Sequence, residues 1–92
     1  MPSASDETAV RARLFTRADC SLCDRAHAIL QRLSSEGLLA WEAVDISADP
    51  ALAETYGSRI PVVELSTGDV FEGRVSEFRL RQRLAREHSL NK

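Results

Sequence analysis

Cys20 and Cys23, set as Cys20-Ser21-Leu22-Cys23, are the only thiols in this 92-residue chain. They follow a short apolar stretch, Arg13 to Thr16, and immediately precede a helical pattern. A Cys-x-x-Cys at a helix start sets its first sulfur beside N–H groups that have no intrahelical acceptor, at the positive end of the macrodipole. Both effects favour the thiolate over the thiol. The second cysteine, three residues on, falls within about one turn and can attack a mixed disulfide formed by the first. The chemistry such a pair performs is dithiol-disulfide exchange, with Cys20 as nucleophile and Cys23 as resolving thiol.

The elements that must position the pair can be read from periodicity and punctuation. Ala12 to Thr16 is short, apolar and bounded by charge, as for a strand inside a sheet. Leu22, Ala26, Ile29, Leu30 and Leu33 recur at helical spacing, which predicts a helix over 21–35 with Gly37 just past its end. Leu39 to Ile46 reads as a second strand, with Trp41, Ala43 or Val44, and Ile46 apolar. Asp49-Pro50 caps and opens a short helix to about Tyr56, closed by Gly57. Ile60 to Leu65 and Asp69 to Glu72 read as strands joined by a Thr67-Gly68 hairpin turn, hence antiparallel. A last helix from about Ser76 to His88 is predicted to carry Phe78, Leu80, Leu84 and Ala85 inward, with Arg81 interrupting the stripe.

The order is β-α-β-α-β-β-α, an α/β fold with a four-stranded mixed sheet and helices on both faces. Parallel strands joined by right-handed crossovers are expected first, then the hairpin and the final helix. Residues 1–10 are expected to be a flexible lead-in, 11–88 a single domain and 89–92 a tail.

Net charge is −2 and hydrophobic residues make up 43%, which excludes a disordered chain and an overall polycation. The charge is unevenly placed. Eight acids lie between Glu36 and Glu72 against the single Arg59, and five arginines between Arg74 and Arg86 against Glu77. A dipolar surface follows if these segments lie apart. Aromatic residues are few and the arginines alternate with acids and apolar groups, so nucleic acid is not an expected partner. No secretory h-region and no run of about 18 apolar residues occurs. A soluble, cytoplasmic monomer without membrane attachment is the expectation. In that compartment a lone Cys-x-x-Cys is catalytic or metal-binding rather than a structural staple.

The dithiol motif after the first strand, with Ile60-Pro61 opening the third some forty residues later, resembles the glutaredoxin branch of the thioredoxin superfamily. Small bacterial glutaredoxin-like proteins are the nearest likeness, and it spans about Arg13 to Ala85. The resemblance implies a thioredoxin-like fold and a role in disulfide exchange, electron transport and redox homeostasis. Its substrate would be a protein disulfide or a small thiol, and its reductant is not specified. It also implies a cis peptide bond before Pro61, facing the cysteines, where the backbone around Ile60 and Pro61 pairs with an extended substrate. Arg17, three residues before Cys20, matches a basic position common in glutaredoxins. A cation there favours a thiolate and attracts a substrate carboxylate, and Arg59 beside Ile60-Pro61 would add to the same field.

Two departures stand against glutathione as the preferred substrate, and no cofactor is expected. Ser21-Leu22 replaces the usual Pro-Tyr inside the motif. Glu72-Gly73-Arg74-Val75-Ser76 replaces the Gly-Gly and Asp that hold the tripeptide's γ-glutamyl end, with Glu72 placed to repel a carboxylate.

Two other classes of function remain open. Both thiolates could bind a metal or iron-sulfur cluster, although two cysteines without a second ligand pair need a dimer or added thiol to complete four ligands. Alternatively, the fold is a redox-inert interaction domain that holds a partner strand at the Pro61 edge. His27, one turn past Cys23, and Asp24 read as solvent-facing helix residues rather than proton carriers.

Overall fold

The computed structural model describes residues 10–90; the expected lead-in up to residue 9 and the last two tail residues lie outside them. Strand β1 (Val10–Thr16) begins two residues earlier than the sequence suggests. Helix α1 (Ser21–Ser35) has the predicted bounds, and Ala26, Ile29, Leu30 and Leu33 are buried along it. Its end is a Schellman motif. Gly37 adopts φ +79°, its N–H donates to the Ser34 carbonyl, and the Leu38 N–H donates to the Leu33 carbonyl. Leu38 then packs on the core, fixing the angle at which the chain enters β2 (Leu39–Asp45).

A 3-10 turn (Ile46–Ala48) takes up Ile46, which the apolar pattern assigns to the end of the strand. Asp49 accepts the Ala51 N–H at 2.9 Å and Pro50 opens helix α2 (Pro50–Tyr56). Strands β3 (Val62–Leu65) and β4 (Val70–Glu72) form the antiparallel hairpin, and helix α3 (Glu77–Leu90) closes the chain.

The sheet order is β2-β1-β3-β4, so β1 lies inside the sheet. It pairs parallel with β2 but antiparallel with β3, so the expectation of successive parallel crossovers holds only for the first one. At 1.5 Å per residue the seven residues of α2 rise about 10 Å, whereas the seven of β1 span roughly 23 Å. Helix α2 alone does not carry the chain back to the far end of the sheet, and β3 starts where β2 stopped.

Two apolar clusters flank the sheet. On one face Val10, Ala12, Leu14, Val63 and Leu65 meet Ala26, Ile29, Leu30 and Leu33 of α1 and Leu80 and Leu84 of α3. On the other, Phe15, Ile46 and Val62 are covered by Val44, Leu52, Tyr56 and Ile60. The second cluster occupies only one end, and Arg11, Arg13, Ala40 and Glu42 leave the rest of that face in solvent.

Helix α3 corrects the predicted stripe. Leu80 and Leu84 are buried, but Ala85 is exposed and Phe78 is 69% exposed. At 100° per residue Phe78 and Ala85 lie about 160° and 140° around the helix from Leu80, so burying both pairs is geometrically excluded. Charge pairing accompanies the face that buries Leu80 and Leu84. Glu77 binds Arg32 of α1, and Arg81 binds both Glu77 and Glu36. Arg83 binds Asp69 in the β3–β4 turn. The acidic and basic segments therefore interlock instead of forming the separated dipole their sequence positions suggested.

Candidate active site

The strand registers place the site. Thr16 pairs with Asp45, Phe15 with Val62, and Val62 with Glu72. The loop leading to Cys20, the residues before Val62 and those after Glu72 therefore emerge at one end of the sheet. Phe15 anchors that end, buried and stacked on the Tyr56 ring at 4.0 Å between centroids and 11° between planes. The Tyr56 hydroxyl donates to Glu64 at 2.9 Å, and that bond is the first cause of a phenol pKa raised above its ordinary value.

From Thr16 the chain turns through Arg17, Ala18 and Asp19. Asp19 has φ +59°, a left-handed conformation that Asp tolerates better than most residues, and this bend sets up Cys20 as the N-cap of α1. The Cys20 sulfur accepts the Cys23 N–H at 3.2 Å, the place an Asp or Ser oxygen takes in an ordinary cap. Its carbonyl accepts the Asp24 N–H at 3.0 Å. The two cysteines are joined as a disulfide with Cα atoms 5.2 Å apart. Their exposure differs. Cys20 is half-buried, whereas Cys23, in the first turn of α1, is 1% exposed.

The Ile60–Pro61 peptide bond is cis. Pro61 is buried, Ile60 is half-buried on the second apolar cluster, and the Pro61 carbonyl accepts the Gly73 N–H at 2.9 Å. Gly73 has φ +65°, a left-handed conformation that glycine adopts without the strain a side chain would bring, where the chain leaves β4. Pro61 and the cysteines thus share one end of the sheet.

The arginines behave differently from one another. Arg17 is exposed and has no ion pair among the described residues. The Arg59 guanidinium pairs with Glu72 and lies over the Tyr56 ring, 5.3 Å from its centroid. The cation and the acid that the sequence set in opposite roles neutralise each other. Counting outward from Thr67 would have found this, because a hairpin centred there sets Val62 against Glu72, within reach of Arg59. His27 is exposed and meets Trp41 edge-on at 4.8 Å. Among the described residues no three His, Cys, Asp or Glu side chains gather at a metal-binding spacing, and no helix is long and apolar enough to cross a membrane.

The sequence profile of the Glutaredoxin-like domain (DUF836) family matches residues 11–85. Uncharacterised proteins of Mycobacterium tuberculosis and Mycobacterium bovis are 38% identical over 80 residues, covering 79% of this chain and 80% of theirs. An X-ray structure of a structural-genomics target from X. campestris superposes with a TM-score of 0.68 at 34% identity, covering 80% of this chain and 95% of that one. A point mutant of thioredoxin from Halobacterium salinarum also gives a TM-score of 0.68, at 21% identity over 89% of this chain and 77% of its own. That last likeness speaks to the thioredoxin fold alone. The profile match runs from the second residue of β1 into α3 and takes in every element that builds the site; the chain belongs to the glutaredoxin-like family.

Proposed function

We propose that the protein is a thiol-disulfide oxidoreductase in which Cys20 attacks and Cys23 resolves. The unequal exposure of the two sulfurs carries this reading, since an incoming disulfide meets Cys20 while Cys23 stays covered. In the reduced protein the Cys20 thiolate attacks one sulfur of a substrate disulfide. A Cys20–substrate bond forms, and the other half leaves as a thiolate that takes up a proton. Cys23 then loses its proton, and its thiolate attacks the Cys20 sulfur. The Cys20–Cys23 bond forms and the second half of the substrate departs. The substrate gains two electrons and the dithiol loses two, giving the Cys20–Cys23 disulfide.

The Cys23 N–H that points at the Cys20 sulfur would stabilise negative charge there once the bond is reduced. Exposed Arg17 supplies a cation beside the same loop. The backbone around Ile60 and cis Pro61 offers the edge against which an extended protein substrate pairs. An external thiol in a reducing compartment, the cytoplasm in this reading, returns the pair to the dithiol.

Thiol titration of the protein equilibrated across glutathione and dithiothreitol redox buffers tests the reading. A reversible two-electron transition, lost in Cys20→Ser and in Cys23→Ser, is the expected result. Thiols that stay reduced throughout would remove it in favour of a binding role.

A further inference from the structure

A groove runs between α1 and the loop joining β4 to α3. Its walls are Arg25, Arg74 and Ser76, and its floor is Ala28, Ile29 and Val75. Ile29 and Val75 are each 7% exposed and belong to the folded core, while Ala28 beside them is exposed. Arg32 and Glu77 line its far side. Glu77 is the groove's one carboxylate, and Arg32 and Arg81 already bind it. Arg25 and Arg74 make no ion pair among the described residues. Three guanidinium groups thus face one neutralised acid, in a chain whose net charge is −2.

Two of the groove's arginines stand on elements that also build the redox site. Arg74 follows Gly73, whose N–H is bonded to the Pro61 carbonyl, and Arg25 stands in the second turn of the helix that Cys20 caps. The Ser76 oxygen accepts the Arg79 N–H at 3.2 Å, which leaves its hydroxyl proton free to donate to a carboxylate. The lining holds no aromatic ring on which a base could stack. An apolar floor between cations suits a peptide bearing Asp or Glu beside an aliphatic side chain.

We propose that this groove docks an acidic segment of the protein whose disulfide the site reduces, so that substrates are selected by carboxylates flanking their cysteines. The proposal rests on the exchange reaction above and adds its substrate class. Charge complementarity of this kind acts mainly on the association rate and weakens with salt.

The test uses two synthetic peptides with the same disulfide, flanked by glutamates in one and glutamines in the other. Reduced wild-type protein should reduce the glutamate peptide about tenfold faster at low ionic strength, an advantage that shrinks in high salt. In R25E/R74E and in the milder R25Q/R74Q the ratio of the two rates should fall to about one, with folding checked by circular dichroism. No preference in wild type, or an undiminished preference in R25E/R74E, overturns the proposal. Should neither peptide be reduced, the exchange reading fails by itself. Docking is then judged by the amide resonances of Ile29, Val75 and Ser76 as the glutamate peptide is added to oxidised protein. Shifts absent from R25E/R74E support the groove, and no shifts in wild type remove it.

Discussion

The Arg59 guanidinium closes onto the Glu72 carboxylate across the gap between the cis-proline loop and the end of β4. An anionic substrate approaching Pro61 therefore meets a cation already occupied by the protein's own acid. Replacing Glu72 by Gln frees Arg59, and reduction of glutathione disulfide should rise about fivefold relative to an uncharged disulfide, the scale of one charge near a surface. Steady-state rates for the two substrates check this, and the double variant R59Q/E72Q should lose the gain.

The two cysteines should fail in different ways. Cys20→Ser removes the accessible sulfur and should abolish disulfide reduction. Cys23→Ser leaves the attack intact but removes resolution, so a covalent Cys20–substrate adduct should accumulate, visible by mass spectrometry and released by dithiothreitol. Turnover retained in Cys20→Ser would assign attack to the wrong sulfur.

Helix α3 offers a paired stability test. Leu80 is fully buried, and Leu80→Ala should cost about 2–5 kcal/mol in chemical denaturation. Phe78→Ser, at a side chain 69% exposed, should stay within about 0.5 kcal/mol despite removing the larger apolar group. Equal losses at both positions would mean that the helix buries another face.

The carboxyl of Glu77 is held down to about 2 by hydrogen bonds first from Arg32 and then from Arg81, against an ordinary value of 4.5. A folded-state pKa below the unfolded one contributes stability that is complete above about pH 4.5 and is lost as pH falls through about 2. Glu36 and Asp69 are also lowered, by Arg81 and by Thr67 and Arg83, and add to the same acid limb. Urea midpoints of wild type and Glu77→Gln should differ at pH 6 and converge towards pH 2. Both ion pairs of Glu77 lie at the surface, so added salt should narrow the difference.

Local punctuation explains what was legible. Helix α1 matches its predicted bounds because Cys20 caps one end and Gly37 ends the other, both within a few residues of the elements they limit. Asp49-Pro50 fixed the start of α2 in the same way. The dithiol was readable from residue type and spacing, whereas the role of Pro61 came from the glutaredoxin resemblance that the two motifs together carry. The direction of β3 was not readable, since it depends on the path of the whole connection from residue 46 to residue 61, of which helix α2 is only a part. Nor was the buried face of α3, because Phe78 and Leu80 are equally apolar. The choice between them depends on contacts with the sheet and α1, including the pairing of Glu77 and Arg81 with Arg32 and Glu36 some forty-five residues away. Arg59 could be named from its neighbour Pro61, but its partner Glu72 becomes visible only when the hairpin is folded up.

The antiparallel return of β3 gathers the reactive loops at one end of the sheet and leaves the other to plain turns. Residues 36–38, joining α1 to β2, and 66–69, joining β3 to β4, both lie beside the start of β1, and α3 ends on that side as well. Extra sequence at these turns adds only loop length, whose entropic cost grows slowly, and it stays a full strand length from the sulfurs. The fold is therefore polarised for engineering: a fluorescent reporter or affinity tag inserted after Thr67 should leave thiol reactivity intact, whereas the same insertion after Ala18 or Gly73 should destroy it.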